Sequence, residues 1–285
     1  MSEDRPPRLY KILIMILPVG VVIGTIVFMW MYFAKHQEES NEQNIIVATG
    51  IRISDLQDMV GKFTDLIGPR TTETEEGRTG LRQAAAMIEG RLGPQNLGLI
   101  VRKDHGEAAH DLLFKGLWVD VRGKEKPDEI VFMAVSYAGA GEVADANTTS
   151  TVMMLASSLA KENPSRTIRF VFLPFDRNPA EQNRWLTERC LSSEETCAAI
   201  IGLKTMQQAP QIGTEAWSTV DTEAKATLWW DSLKEGKPVD AETPSVWMTH
   251  PVYASQAWQD RREERLKATI RVTQEMRGWL LTAAE

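Results

Sequence analysis

Residues 130–173 read IVFMAVSYAGAGEVADANTTSTVMMLASSLAKENPSRTIRFVFL, and this stretch decides the fold class. The run Ile130–Val135 is short and almost wholly apolar, which is typical of a strand covered on both faces of a sheet. A helix is predicted from about Asn147, because apolar residues recur on one face at Val152, Leu155, Ala156 and Leu159. Thr167–Leu173 then predicts a second buried strand.

The same alternation of helices and strands continues on both sides of this stretch. Upstream, the sequence predicts helices at about 48–66 and 78–93 and strands at Leu97–Arg102 and Leu112–Val121. Downstream, it predicts a helix at about 180–190, strands near 198–203 and 244–249, and a helix at about 257–282. This order favours an α/β fold, a three-layer sandwich with a mostly parallel central sheet.

The composition excludes some classes of function. With 285 residues, 43% of them hydrophobic, the chain can build a substantial core, so wholesale disorder is excluded. A net charge of −7 gives no positive field for nucleic acid, and no nucleic-acid partner is expected. A mean hydropathy of −0.26 leaves room for one membrane span but not for a polytopic bundle.

The N-terminal region predicts a single transmembrane helix at residues 12–34. These positions contain no charged residue, and a helix of this length at about 1.5 Å per residue crosses the bilayer core. Three cations, Arg5, Arg8 and Lys11, precede the span. The positive-inside rule therefore places residues 1–11 in the cytoplasm.

The remaining chain is expected on the other side of the membrane. Residues 35–47 form a polar tether, and residues 48–285 form the extracytoplasmic domain. We therefore predict a single-pass protein of the inner (cytoplasmic) membrane with a periplasmic domain. Gly20 and Gly24 are spaced so that a second helix can approach closely, which favours integral membrane protein partners, although this spacing also arises by chance.

Cys190 and Cys197 are the only cysteines. They are separated by a short loop in a region predicted to lie outside the reducing cytosol. A disulfide is therefore expected between them. Two thiols without nearby histidines do not make a zinc site.

The segment Gly139–Ala144 matches the pattern G-x-G-x-x-A between a strand and a helix, which is also found in dinucleotide-binding sites. In such sites the helix begins within the glycines so that its N-terminus faces the pyrophosphate. Here Asn147, three residues further on, is the better helix cap. No cofactor is therefore predicted.

The segment 130–206 resembles the central part of the two-zinc aminopeptidase family, which includes bacterial leucyl aminopeptidases. RTIRFVF at 166–172 is the most specific piece of the likeness, and IGPRTTETEEGRTGLRQAAAMIEGRL upstream resembles the family's N-terminal helices. The resemblance covers about residues 48–283 and implies the fold predicted above. The ectodomains of nicastrin and the transferrin receptor resemble the same family.

The resemblance also locates the family's metal ligands, and this chain has lost them. A zinc site of this kind needs three or four His or carboxylate donors. The five ligand positions fall here on Ser136, Ala146, Arg177, Lys204 and Ala254, and the family's catalytic carboxylate falls on Asp176. No catalytic residue and no metal are therefore expected.

Two interpretations of the remaining charges stay open. Arg177 and Lys204 repel a metal ion and, together with Asp145 and Asp176, they form a possible metal-free charge cluster. Alternatively, all four side chains face solvent.

The functional expectation is a non-catalytic accessory or structural subunit of a larger membrane protein complex. Exposed tryptophans would supply part of the contact surface, although they are also common in cores; the candidates are Trp217, Trp229 and Trp230. The alternatives are a peptide- or ligand-binding module that uses the relic cleft, and a hydrolase with a rearranged site.

Overall fold

The computed structural model divides the chain into two compact units, residues 1–49 and 50–285. It describes residues 25, 27–31, 50–109, 112–205, 218–219, 245–250 and 262–285. In the first unit, residues 25 and 27–31 are helical, and the rest of the predicted span and tether lies outside the described residues. Within the residues that the structure describes, no helix has the length and apolar character needed to cross a membrane.

The second unit alternates helices and strands. Its helices are α1 (Ile53–Gly61), which continues directly as a π-helix (Lys62–Ile67), then α2 (Glu75–Leu92), α3 (Val143–Leu159), α4 (Pro179–Arg189) and α5 (Arg262–Ala283). Its strands are β1 (Arg102–Ala109), β2 (Leu112–Val121), β3 (Lys126–Ser136), β4 (Arg166–Leu173), β5 (Thr196–Lys204), β6 (Ser218–Thr219) and β7 (Ser245–Thr249).

The strands of the described residues form one seven-stranded sheet in the order β1-β2-β4-β3-β5-β7-β6. The four central strands β4, β3, β5 and β7 are parallel to one another. β2 pairs antiparallel with β1 and β4, and β6 pairs antiparallel with β7. The predicted α/β fold is confirmed at this level: the sheet is mixed, with a parallel centre.

Helices cover both faces of the sheet, as the apolar run Ile130–Val135 predicts. Helices α1, α2, α3 and α5 pack on one face, against side chains such as Met133, Phe170 and Ile201. Helix α4 packs on the other face, where Trp185 joins Phe132 and Trp247 in a smaller cluster. This is the predicted three-layer arrangement.

A buried cation ties the second face together. Arg169 on β4 is 1% exposed and makes paired hydrogen bonds of 2.7 and 2.9 Å to Asp120 and of 2.8 and 2.9 Å to Glu195. It also donates to the backbone oxygen of Cys190, at the end of α4. The pair with Glu195 and the bond to Cys190 thus fix the turn between α4 and β5 onto the sheet, and the pair with Asp120 joins β4 to β2.

Helix α3 begins four residues earlier than predicted. The predicted cap, Asn147, is fully buried within the helix, and Glu142 occupies the capping position instead. The loop before the helix is closed by Asp145, whose carboxylate accepts the Gly141 N–H at 3.1 Å. The first strand is also shifted: Leu97–Arg102 was the predicted range, whereas β1 begins at Arg102.

The disulfide prediction is wrong for this structure, because Cys190 and Cys197 are both free thiols. Cys190 closes α4 and is buried in the cluster beneath that helix, whereas Cys197 is part of β5 and opposes Ile130 on β3. The positions of both residues are therefore set by regular secondary structure. Burial raises the pKa of Cys190, and it raises the pKa of Cys197 to about 11.

Candidate functional site

The carboxyl ends of the parallel strands meet at one edge of the sheet, where ligand sites of α/β proteins usually form. In this chain the edge is marked by Ser136 at the end of β3, Lys204 at the end of β5 and His250 directly after β7. The loop after β4 adds Asp176 and Arg177. The structure therefore brings most of the predicted site positions to a common edge.

Ser136 and Ala146 have local structural contacts. The Ser136 hydroxyl accepts the Ala138 N–H at 3.1 Å, and the Ser136 carbonyl accepts the Thr149 hydroxyl at 3.1 Å. Ala146 is fully buried in α3. These contacts join the end of β3 to the first turns of α3.

Lys204 forms an ion pair with Asp176. Its Nζ lies 2.8 Å from Asp176 Oδ1 and also donates to the backbone carbonyl of Arg177. The Lys204 side chain is 14% exposed and that of Asp176 is 35% exposed. The ammonium also lies 5.8 Å from the centre of the Trp247 ring. A cation thus sits between the ends of β4 and β5.

Arg177 points along the surface. Its guanidinium lies 4.4 Å from the centre of the Phe175 ring and 3.9 Å from the Glu181 carboxylate, and its side chain is 43% exposed. The Phe175 ring meets Trp185 edge-on at 5.8 Å. Arg177 therefore belongs to the loop surface before α4, where it contacts Phe175 and Glu181.

Asp145 pairs with a residue that the sequence analysis did not select, Arg70. The Arg70 Nη2 and Asp145 Oδ1 atoms are 3.3 Å apart, and the two side chains are 0% and 7% exposed. Arg70 also donates to backbone oxygens of Phe63 at 3.2 Å, Gly68 at 2.8 Å and Tyr137 at 2.7 Å. A backbone bridge between Arg70 and Gly139 completes the contact between the two loops.

The glycines of the dinucleotide-like pattern serve this contact. A side chain at Gly139 would collide with the Asp145 carboxylate at 1.9 Å, and Gly141 has a φ of +89° beside the backbone of Gly68. The pattern is therefore explained by close packing of the loop against Asp145 and residues 68–69.

Burial acts on both members of the Arg70–Asp145 pair. It raises the pKa of Asp145 and lowers the pKa of Arg70, and in each case the charge of the other residue opposes the shift. An arginine stays protonated in proteins, so Asp145 has a permanent positive neighbour. Nothing in the sequence pattern around Arg70 indicates its burial, but a buried Asp145 implies a cation nearby.

The first half of α3 is polar and buried, an arrangement that periodicity did not reveal. Asn147, Thr148, Thr149 and Ser150 are at most 1% exposed, as is Thr151. The Thr151 hydroxyl and the ring of His250, also buried, form a hydrogen bond of 3.0 Å. His250 thus contacts the helix, and Ala254, the predicted fifth ligand position, lies outside the described residues.

These residues do not fit a zinc ion. Among the residues that the structure describes, no group of three or more His, Cys, Asp or Glu side chains is arranged to hold a metal. At the described ligand positions that the resemblance assigns, the chain carries a hydroxyl, a methyl group, a guanidinium and an ammonium, and none of these is a strong zinc ligand; they belong to Ser136, Ala146, Arg177 and Lys204. The stronger donors nearby have other partners: Asp176 pairs with Lys204, Asp145 pairs with Arg70, and the His250 ring bonds to Thr151.

Comparison with known proteins identifies the fold. No protein-family model matches the sequence, and no curated protein matches it. Among solved structures, the chain is similar to the Legionella pneumophila aminopeptidase LapA, with a TM-score of 0.58, 10% identity, and coverage of 85% of this chain and 74% of that one. It is also similar to glutaminyl cyclase from Porphyromonas gingivalis, with a TM-score of 0.53, 12% identity, and coverage of 80% and 97%.

A third similar structure is a putative zinc-dependent exopeptidase from Bacteroides vulgatus, with a TM-score of 0.51, 13% identity, and coverage of 81% of this chain and 96% of that one. The chain therefore has the fold that these aminopeptidases and glutaminyl cyclases share. At such low identity, the likeness shows the fold alone. Gly20, Gly24 and the three candidate surface tryptophans lie outside the described residues.

Proposed function

We propose that this chain is a non-catalytic, metal-free, aminopeptidase-like domain that is held at the membrane by residues 12–34. In this proposal the domain is an accessory or structural subunit of a larger membrane protein complex, with its soluble part in the periplasm. The fold is retained as a scaffold for assembly, and the edge of the sheet that serves catalysis in the family has a structural role.

The observation that carries this proposal is the ion pair between Lys204 and Asp176, with its N–O distance of 2.8 Å. The resemblance assigns a zinc ligand to position 204 and the catalytic carboxylate to position 176. A fixed ammonium at this place repels a divalent cation and occupies the carboxylate. A lysine at position 204 therefore has two effects: it removes one zinc ligand, and it neutralises the carboxylate at the catalytic position.

Asp145 provides a second, independent argument. It is the carboxylate nearest in sequence to the position of the family's metal-bridging ligand, and its charge is already matched by the buried Arg70. Recruiting Asp145 to a metal would leave Arg70 buried without its partner, at a cost of several kcal/mol. A rearranged metal site built on this residue is thus disfavoured.

The proposal of a membrane anchor is supported by the described part of the first unit. Residues 27–31 are consecutive apolar residues in a helix, and their exposed fractions run from 50% to 72%. A helix that exposes apolar side chains on every face needs an apolar environment, which a bilayer or another apolar helix provides.

Enzyme assays test the absence of catalysis. The full-length chain, purified in detergent, is incubated with aminoacyl amides and with N-terminal glutaminyl peptides. These substrates test for aminopeptidase and for glutaminyl cyclase activity. We expect no turnover, either with added zinc or after chelation. Turnover that is lost on chelation and restored by zinc would contradict the proposal and support a hydrolase or cyclase with a rearranged site.

A second measurement tests the role as a subunit. Native membranes are solubilised in mild detergent, and the mass of the particle that contains the chain is determined. We expect a particle containing other integral membrane chains in fixed ratio. A chain that migrates alone, with peptides bound at the carboxyl edge of the sheet, would instead favour the ligand-binding alternative.

A further inference from the structure

We propose that Leu66 and the two hollows beside it form a docking surface for a segment of a partner protein in which an apolar side chain is flanked by lysine or arginine. This inference rests on the proposed role as a subunit and identifies the surface of the soluble domain that would make the contact. We call Leu66 and these hollows the Leu66 surface.

The exposure of Leu66 is a consequence of the π-helix. Phe63 is fully buried, and in a continuous α-helix Leu66, three residues later, would lie on the same face of the helix. The π-helix spans Lys62–Ile67 and has wider turns, which rotate Leu66 outward. As a result the Leu66 side chain is 76% exposed, despite its place in a helix that packs on the core.

The buried site described above fixes this geometry. The Gly68 N–H donates to the Phe63 carbonyl at 3.0 Å, a hydrogen bond of the π type across five residues. Arg70 binds the same Phe63 carbonyl and that of Gly68, and its guanidinium lies 5.1 Å from the centre of the Phe63 ring. The outward position of Leu66 is therefore maintained by a buried cation and does not depend on a mobile loop.

Two hollows flank Leu66. One, of about 470 Å³, lies against α1 and is lined by Gln57, Asp58 and Lys62; the other, of about 440 Å³, lies against α2 and is lined by Ile67, Glu75 and Glu76. Leu66 borders both hollows. Its side chain thus forms a ridge, with room on each side for side chains of a partner.

Charge determines which partner fits. The residues that line the two hollows include the carboxylates of Asp58, Glu75 and Glu76 and only one cation, Lys62, which is paired with Asp58 at 2.7 Å. Glu75 and Glu76 are exposed and make no ion pair within the described part of the chain. A negative rim around an apolar ridge is complementary to a basic, apolar segment. It repels anionic lipid headgroups, so a protein is favoured over the membrane surface.

The chain offers a matched control. Ile100 is the other large apolar side chain of the second unit with comparable exposure among the described residues, at 75%. It precedes β1, where the exposed cations Arg102 and Lys103 lie beside Asp120 and Glu89. The two positions therefore share exposure and size, but the cations near Ile100 are matched by carboxylates, whereas Glu75 and Glu76 beside Leu66 make no ion pair among the described residues.

Site-specific photo-crosslinking in native membranes tests the inference. A benzophenone amino acid replaces Leu66 in the full-length chain, or Ile100 in the control, and crosslinked peptides are identified by mass spectrometry. We expect position 66 to crosslink at least fivefold more than position 100, to one peptide that carries an apolar residue flanked by basic residues. Combining the probe with Glu75→Lys and Glu76→Lys should reduce that yield at least fivefold.

Each other outcome overturns the inference. The inference is contradicted if the yields at positions 66 and 100 are equal. It is also contradicted if position 66 crosslinks to lipid, to a second copy or to residues of the same chain, or if the charge reversal does not change the yield. The particle mass of the unmodified chain separates the two proposals. If that chain is in a hetero-complex and position 66 does not reach its partner, only the docking surface fails, whereas a chain that is alone contradicts the role as a subunit.

Discussion

The guanidinium of Arg70 lies 3.3 Å from the carboxylate of Asp145, and neither side chain is more than 7% exposed. This buried pair connects the loop after the π-helix to the first turn of α3. It lies beside the end of β3, since Arg70 also donates to the Tyr137 carbonyl at 2.7 Å. The loop after the π-helix and the loop before α3 are therefore held together by a buried ion pair.

Replacing Arg70 should reveal how much its pair with Asp145 and its bonds to three backbone carbonyls together contribute to stability. Arg70→Met leaves the buried Asp145 carboxylate without a cation, and we expect a loss of about 3–5 kcal/mol in the free energy of unfolding. Urea denaturation measures this value. The control is Arg91→Met, which breaks a pair with Asp55 at 3.8 Å in which both side chains are more than a third exposed; it should cost less than about 1 kcal/mol.

A double variant keeps the test decisive if Arg70→Met alone does not fold. Combining Arg70→Met with Asp145→Leu removes both charges, so part of the lost stability should return. If Arg70→Met costs no more than Arg91→Met, the buried pair does not hold the loops together.

Lys204 is expected to contribute moderately to the free energy of unfolding. Lys204→Met removes the ammonium from Asp176, and we expect a loss of about 1–2 kcal/mol, because Asp176 is 35% exposed and remains partly hydrated. Lys62→Met, which breaks an exposed pair with Asp58, is the control and should change stability by less than about 0.5 kcal/mol. A Lys204→Met effect as small as that of the control would mean that Lys204 effectively faces solvent.

The pH dependence of stability should depend on Glu195. Hydrogen bonds from Arg169 lower the pKa of Glu195 from 4.5 to about 2. A lowered pKa means that the stabilisation is fully present above about pH 4.5 and is lost as the pH falls toward about 2. Glu195→Gln should therefore flatten the curve of stability against pH within this window.

The neighbouring Glu194 provides the control for that measurement. It is exposed and makes no ion pair among the described residues, so Glu194→Gln should leave the curve unchanged. A wild-type slope between pH 4.5 and 2 that Glu195→Gln does not alter would show that the Arg169 pair is not the cause.

The two cysteines should react as free thiols. When the chain is unfolded without a reducing agent, we expect thiol titration to find two groups per chain. In the folded protein, Cys190 should react far more slowly than a free cysteine, because burial suppresses its thiolate. Finding no reactive thiols in the unfolded, unreduced chain would restore the disulfide and contradict the structure.

The sheet was predictable from the sequence because its central strands are buried on both faces. Ile130–Val135 is an unbroken apolar run, and Thr167–Leu173 is mostly apolar, with Thr167 and Arg169 as its polar residues; few other structures tolerate such runs. The start of α3 was not predictable in this way, because its first turns are buried but polar, so hydrophobic periodicity begins only at Val152.

The site was only partly predictable for a similar reason. Lys204 and Asp176 were placed in one site only by the resemblance to the aminopeptidase family, and the structure pairs them at 2.8 Å. The pairing of Asp145 with Arg70 was missed, since the two residues are 75 positions apart and join through irregular loops. The π-helix was likewise invisible, because its winding depends on backbone hydrogen bonds that Arg70 supports from outside the helix.

Native mass spectrometry of the full-length chain, purified without chelators, tests the central claim most directly. Because Lys204 pairs with Asp176 and Arg70 pairs with Asp145, the mass should correspond to the chain without zinc, and added zinc should not bind in stoichiometric amount. A mass that includes one or two zinc ions, removed by chelation and regained on adding zinc, would contradict the account.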